Sequence, residues 1–259
     1  MILQFINYVG HTTLQLCQAL GSFVLFFYKA LLTLVTTKLK LSKTLAQMEH
    51  IGIESLAIVI LTGTFSGMVL ALQSYIGFQR VGGEQFIGSV VALGIIRELG
   101  PVLTGLMVAG RASSAIAAEL GTMRITEQID ALRTLRIDTF QYLVVPRIVA
   151  GTIILPFLTL FAMICGVVGG YMICVYVLGL SPEDYISNIR IYVELSDITG
   201  GLIKATFFGL ILSWVGTYKG FFTEGGARGV GMATTQSVVT SSICIITSNY
   251  FITKLLEKM

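Results

Sequence analysis

Five stretches of this chain, at residues 53–76, 86–118, 142–178, 198–218 and 236–253, are apolar runs with few or no charges. Each is at least about as long as the roughly 18–20 residues that a helix needs to cross the hydrocarbon of a bilayer. A spanning segment must satisfy its own backbone groups, and continuous rather than alternating hydrophobicity selects helix over barrel strand. The composition agrees: 54% of residues are hydrophobic and 12% charged, where soluble domains carry about 25% charged residues. The mean hydropathy is +0.84. The expected fold is therefore an all-α polytopic membrane protein. No polar linker is long enough to divide it, so residues 1–259 are read as one domain, with an N-terminal region over 1–45 and a five-span core over 46–259. The net charge of +3 is too small to suggest nucleic acid.

Residues 14–35 are long enough to span, yet Gln15, Gln18, Ser22, Lys29, Thr33 and Thr36 fall within a narrow arc of the helical wheel. A single polar stripe fits a helix lying in the membrane interface. The N-terminus carries no basic segment and no A-x-A-like site, so no cleaved signal peptide is expected. Lys38, Lys40 and Lys43 place residue 40 on the cytoplasmic side. From there the first span runs outwards with Gly63 and Gly67 four apart, and the second returns inwards with a kink or break expected at Gly100-Pro101. Arg124, Arg133, Arg136 and Arg147 mark the next connection as cytoplasmic. The third span holds Pro156, Gly166, Gly169 and Gly170. The acidic segment SPEDYISNIRIYVELSD lies outside, and the fourth span carries Lys204. The segment YKGFFTEGGARGVGMATTQ forms an inner loop, and the fifth span leaves the tail KLLEKM outside. Cys17, Cys165, Cys174 and Cys244 lie in apolar runs without metal-ligand spacing and read as packing residues.

The chemistry concentrates between residues 97 and 136. Arg97 and Glu98 interrupt an apolar run, where a charge costs roughly 2.5–3.5 kcal/mol on insertion scales, so such residues face a partner or a cavity. Adjacent helical residues point about 100° apart, so the two cannot fully satisfy one another; one is expected to reach Lys204 or a polar cavity. Gly105, Ala109, Ser113, Ala117 and Gly121 form a small-residue ladder suited to close helix packing, with a partner in this chain or in a second copy. Beyond it, Thr126 can cap a short helix over 126–136, with Glu127 and Asp130 near its start and Arg133 and Arg136 near its end. Ile125, Ile129, Leu132 and Leu135 form its apolar stripe. GGARGVG lacks the GK[ST] ending of a phosphate loop, and the chain shows no metal cluster or Ser/His/Asp set. It is read as non-catalytic, without a cofactor of its own. A membrane-buried charge pair, a helix-packing face and a cytoplasmic docking segment within forty residues suggest a transport subunit, and one without an energy source implies a separate motor, for which the 126–136 helix is the natural handle.

The strings RELGPVLTGLMVAGRASSAIAAELGTMRITEQIDAL and GGARGVGMATTQSVV closely resemble the MlaE/YrbE-type permeases of MCE lipid-transport systems, in order and spacing, and the similarity extends from about residue 45 to the C-terminus. The resemblance implies a homodimeric ABC transporter permease in a bacterial inner membrane, moving phospholipid or a related lipid between inner and outer membranes; a plastid inner envelope is the less favoured setting. It implies a cytoplasmic ATPase that supplies ATP and Mg chemistry, an MCE-domain protein on the outer face and, in some systems, a STAS-domain protein. It also implies that residues 1–45 act as an elbow, that 126–136 (Glu127, Ile129, Asp130, Leu132, Arg133, Leu135, Arg136) couple to the ATPase, and that Arg97, Glu98 and Lys204 lie near the lipid cavity. From position and polarity, Leu70, Leu72, Tyr75 and Phe78 are candidates to line that cavity. Two other classes compete. A proton-driven secondary transporter, with Glu98 or Glu119 titrating, predicts paired broken helices, and no second copy of the RELGP break is found. A membrane scaffold does not explain charges and a proline placed within a span.

Overall fold

The computed structural model describes residues 2–80 and 82–256, without the side chains of 2–10, 12, 15, 16 and 19; Gln15's part in the polar stripe and the end of the tail therefore lie outside the described residues. Eight helical elements follow in order. They are α1 (Ile2–Thr36), α2 (Leu41–Phe78), α3 (Glu84–Ile125), α4 (Gln128–Thr134), α5 (Phe140–Val177), α6 (Pro182–Tyr192), α7 (Leu195–Phe221) and α8 (Gly226–Leu256). The chain is an all-α polytopic membrane protein: α2, α3, α5, α7 and α8 are long and apolar enough to cross a bilayer, and the N-terminal helix adds a shorter apolar stretch, Leu20–Thr36.

Glycine decides how closely the spans approach. Along α2, Gly63 and Gly67 face α5: a Cβ on Gly63 would lie 2.8 Å from the Ala162 carbonyl, and one on Gly67 would strike that of Gly166. α5 meets α7 in the same way, where a Cβ on Gly209 would strike the Gly151 carbonyl. With lipid tails as apolar as leucine, such backbone approaches supply the packing that hydrophobic burial supplies in water.

Three features add to or correct the sequence expectations. Part of the polar stripe of α1 turns toward protein, while Gln18 and Thr36 stay exposed. Ser22 Oγ lies 2.7 Å from the Tyr218 hydroxyl, Lys29 sits 4.5 Å over the Phe140 ring, and Thr33 is buried with its hydroxyl donating to the Lys29 carbonyl. Phe26, on the same side, packs on Phe140, Tyr218, Phe221 and Phe222. A stripe that mixes aromatic and hydroxyl groups fits a protein groove as well as it fits the membrane interface. Next, the GGARGVG segment is not a loop. Gly225 and Gly226 take left-handed backbones (φ 87° and 64°), and the helix runs from Gly226, well before the apolar window that marked the span. Finally, α6 lies between the third and fourth spans, capped by Ser181 accepting from the Asp184 amide and anchored by buried Tyr185, which donates to the Val167 carbonyl at 3.1 Å. Burial, reinforced by Cys174 nearby, raises the Tyr185 phenol well above its ordinary value, so it remains a donor at physiological pH.

The α2–α5 seam has no room for a side chain at Gly67. Gly67→Val is expected to cost about 3 kcal/mol or more, measured as lost thermal stability in detergent. Gly77→Val, where a Cβ meets open space, is the matched control and should unfold like the parent.

Candidate functional site

α3 is one continuous helix interrupted by two π-helical turns, Ile95–Leu99 and Ala109–Ser113. The first lies just before Pro101. A proline at that position has no N–H to offer the carbonyl four residues back, which belongs to Arg97, and its ring would crowd that carbonyl in a regular helix. The widened turn relieves the crowding: the Gly100 amide bonds to Ile95 O, the five-residue step of a π turn. Arg97's carbonyl is taken up by another helix, since Lys204 Nζ of α7 donates to it at 2.8 Å.

The same ammonium pairs with Glu98 Oε1 at 2.6 Å. Lys204 is 3% exposed, whereas the Glu98 carboxylate is half-buried and takes two further donors from α8: Asn249 Nδ2 at 3.0 Å and Thr253 Oγ1 at 3.2 Å. Arg97 points the other way. Its side chain, 56% exposed, reaches Asp197 at 2.6 Å, while the other Asp197 oxygen accepts the Glu194 amide in the capping box that starts α7. The two charges at the bulge thus belong to two ion pairs, not one. Between them lies a pocket of about 330 Å³ lined by Arg97, Glu98, Asp197, Gly200, Lys204 and Thr253 among others. A charge cluster walled by three helices, with one arginine reachable from outside, can hold a polar or anionic group at the edge of an apolar bundle.

Arg97, Glu98 and Lys204 are brought together; the other expected residues sit elsewhere. Leu70, Tyr75 and Phe78 pack on the outer apolar cluster around Ile95 and Tyr185, Leu72 is exposed on α2, and none of the four lines this pocket. The ladder Gly105, Ala109, Ser113, Ala117, Gly121 packs against α7 and α8 of the same chain. Ser113 Oγ donates to the Leu212 carbonyl at 2.9 Å and lies 2.6 Å from Ser237 Oγ. A Cβ on Gly216 or Gly220 would come within 2.9 Å of the Ser113 or Ala117 carbonyl, and Gly121 faces Thr223.

At the opposite end of α3, the short helix is α4. Thr126 does not cap it; its hydroxyl bonds back to Thr122 at 2.8 Å, and the capping position falls to Glu127, in a left-handed backbone at φ 58°. That reversal folds α4 back so that Ile129 is fully buried in the chain's own core, with Leu132 packed partly against it, whereas Leu135 is 70% exposed. Asp130 is held by Arg124 at 2.8 Å and Arg133 at 3.1 Å; Glu127 and Arg136 are exposed. Arg111 and Glu119 do not pair with each other. Arg111 joins Glu54, Ser55 and the His50 carbonyl of α2, and Glu119 pairs with buried Arg147 of α5 at 2.7 Å.

Comparison with known proteins places this geometry. The family model described as permease MlaE matches residues 44–255. The chain belongs to the MlaE permease family. It is 48% identical over 259 residues to a probable ABC transporter permease protein of Rickettsia typhi, covering 100% of both chains. It is 43% identical over 213 residues to a probable ABC transporter permease protein of Synechocystis, covering 82% of this chain and 81% of that one. It is 34% identical over 257 residues to the intermembrane phospholipid transport system permease protein MlaE of Haemophilus influenzae, covering 99% and 98%. As an MlaE-family permease with five long apolar helices, it is a multi-pass inner-membrane protein. Asp197, Asn249 and Thr253 complete the cluster of this permease and were not singled out in the sequence. Asn249, an amide inside an apolar run, was the one visible signal.

Stranding a buried ammonium is costly. Glu98→Ala should destabilise the permease by about 2–3 kcal/mol, and adding Lys204→Met should recover part of that loss. A double-mutant cycle on thermal unfolding reads the coupling; strictly additive effects would show the pair to be energetically independent.

Proposed function

We propose that the chain is the permease subunit of an ABC transporter that moves phospholipid or a related lipid between inner and outer membranes, driven by ATP hydrolysis on a separate subunit. The observation that carries this reading is the pocket at the α3 bulge: Arg97, Glu98 and Lys204 supply a headgroup-sized polar site at the border of an apolar bundle. The Haemophilus relative's name, an intermembrane phospholipid transport system permease, supports lipid as the cargo. In this reading the chain is non-catalytic, and ATP and Mg belong to the ATPase. The acyl chains are assigned to the outer end of α2, with Leu72 exposed beside Leu70, Tyr75 and Phe78. Because none of these lines the pocket within one copy, a second copy is assigned to close the cavity. Residues 1–45 act as the elbow of a single permease domain whose five-span core is 46–259.

The ATPase contact is assigned to α4 through Leu135, Glu127, Arg133 and Arg136, with Ile129, Leu132 and Asp130 fastening that helix to the permease. An MCE-domain protein is assigned to the outer face, and a STAS-domain protein is a further candidate partner. An exposed leucine at the end of a helix whose other apolar residues are buried offers a handle that can be altered without unfolding its mount.

Leu135→Asp is expected to abolish co-purification of the ATPase while the permease stays folded; retained ATPase would move the coupling surface elsewhere. Glu98→Ala/Lys204→Met, which removes both charges of the pair together and so leaves neither ion unpaired, should keep the complex assembled and lower lipid transfer between vesicles at least about tenfold, equivalent to about 1.4 kcal/mol. Unchanged transfer would take the pocket off the cargo path. Unchanged lipid extraction by Leu72→Arg would remove α2 from the acyl surface.

A further inference from the structure

A second cationic site lies at the other end of the bundle. Before Glu49 the chain contains Lys29, Lys38, Lys40 and Lys43 and no acid. Lys40 Nζ lies 4.6 Å and Lys43 Nζ 5.1 Å from the centroid of one ring, Tyr142, at the start of α5. Gln141 Nε2 ties the segment down by donating to the Lys38 carbonyl at 3.0 Å. Among the described residues, none of these four lysines has a carboxylate within ion-pair distance. The acid nearest Tyr142 in the sequence, Asp138, instead accepts the Phe140 amide at 2.9 Å. Two ammonium groups drawn to one aromatic ring, with no carboxylate beside them, leave positive charge for an anion to neutralise.

Next along both helices is a shallow apolar groove, with a volume of only about 10 Å³. Leu31 and Leu34 of α1 and Val145, Ile148 and Val149 of α5 line it. On α5 it starts three residues after Tyr142; on α1 it ends four residues before Lys38. The order from lysines to tyrosine to aliphatic groove is that of headgroup, interface and acyl chain, and tyrosine favours the headgroup level of a bilayer. The lysine bias puts this end at the cytoplasmic leaflet, whose anionic lipids attract such clusters. An acidic protein surface would neutralise the lysines but leave the groove uncovered, as would free phosphate; a lipid occupies both. The cargo pocket is lined by residues of α3, α7 and α8 and the groove by residues of α1 and α5, with none in common, so the site is not the cargo pocket.

We propose that the α1–α2 elbow and the start of α5 bind an anionic phospholipid of the inner leaflet, its phosphate paired with Lys40 and Lys43 and one acyl chain lying against the shallow α1–α5 groove. The full-length permease in mild detergent is titrated with phosphatidylglycerol, phosphatidylcholine of the same chains, and inorganic phosphate, with retained ligand read by native mass spectrometry. A Glu98→Ala/Lys204→Met background separates this site from the cargo pocket. The expected result is retained phosphatidylglycerol over phosphatidylcholine, reduced about tenfold by Lys40→Gln/Lys43→Gln, preserved by Lys40→Arg/Lys43→Arg, and reduced by Leu34→Trp, which fills the groove with both lysines intact. Undiminished retention in the glutamine variant overturns the proposal. So does retention insensitive to Leu34→Trp with phosphate binding equally well, which marks a free-phosphate site. Loss of the co-purifying ATPase with lipid retention unchanged makes the surface a protein-docking site and overturns it as well.

Discussion

A proline within a membrane helix leaves one carbonyl without its usual donor, and much of this permease is arranged around where that carbonyl goes. In water the group would simply be solvated; in hydrocarbon an unsatisfied backbone oxygen costs several kcal/mol. Here Pro101 releases the Arg97 carbonyl, and Lys204 accepts the task from the neighbouring span. The ammonium brought in for that purpose is itself a buried charge and needs a counter-ion, which Glu98 supplies on the same turn. Arg97, rotated away from Glu98, fixes the start of α7 through Asp197. Bulge, lysine, carboxylate and helix cap are linked, and removing any one leaves another uncompensated.

The second π turn organises the middle of the same helix differently. Around Ser113 the contacts are hydroxyl to hydroxyl and backbone to backbone, so α3, α7 and α8 approach more closely than larger residues would allow. Charges hold one end of α3 and small residues its centre. Arg111, in the same π turn, reaches across to α2, and Glu119, further along, to α5. One helix therefore touches four other long helices, by a different chemistry at each level.

The fold was legible in the sequence because spans announce themselves by length and hydrophobicity, and the disturbance of α3 at the RELGP segment because Pro101 lacks the N–H that a regular turn would use there. Lys204 was named as a partner of the bulge since few charges lie within the apolar runs. What could not be read was tertiary. Asp197 looked like one of several acids in an outer loop, and only the capping box turns it toward Arg97. Whether the small-residue ladder served this chain or a second copy depended on where Gly216 and Gly220 stood. The stripe of α1 was visible, but its direction depended on Tyr218 and Phe140, far away in sequence. Thr126 had the right chemistry to cap a helix; the backbone reversal at Glu127, a residue with no special liking for that conformation, took the position instead.

α3 spans 42 residues without a break, a rod of roughly 60 Å with the charge cluster near one end and α4 fastened to the other through Arg124 and Asp130. For a rod of that length, a tilt of only about 5° about one end sweeps the other through about 5 Å, more than the reach of any hydrogen bond in the cluster. The two π turns, where the backbone ladder changes its step, are the points along that rod at which such a tilt can be absorbed or passed on. Each of those two points is tied to α7, one by Ser113 on the Leu212 carbonyl and the other by Lys204 on the Arg97 carbonyl.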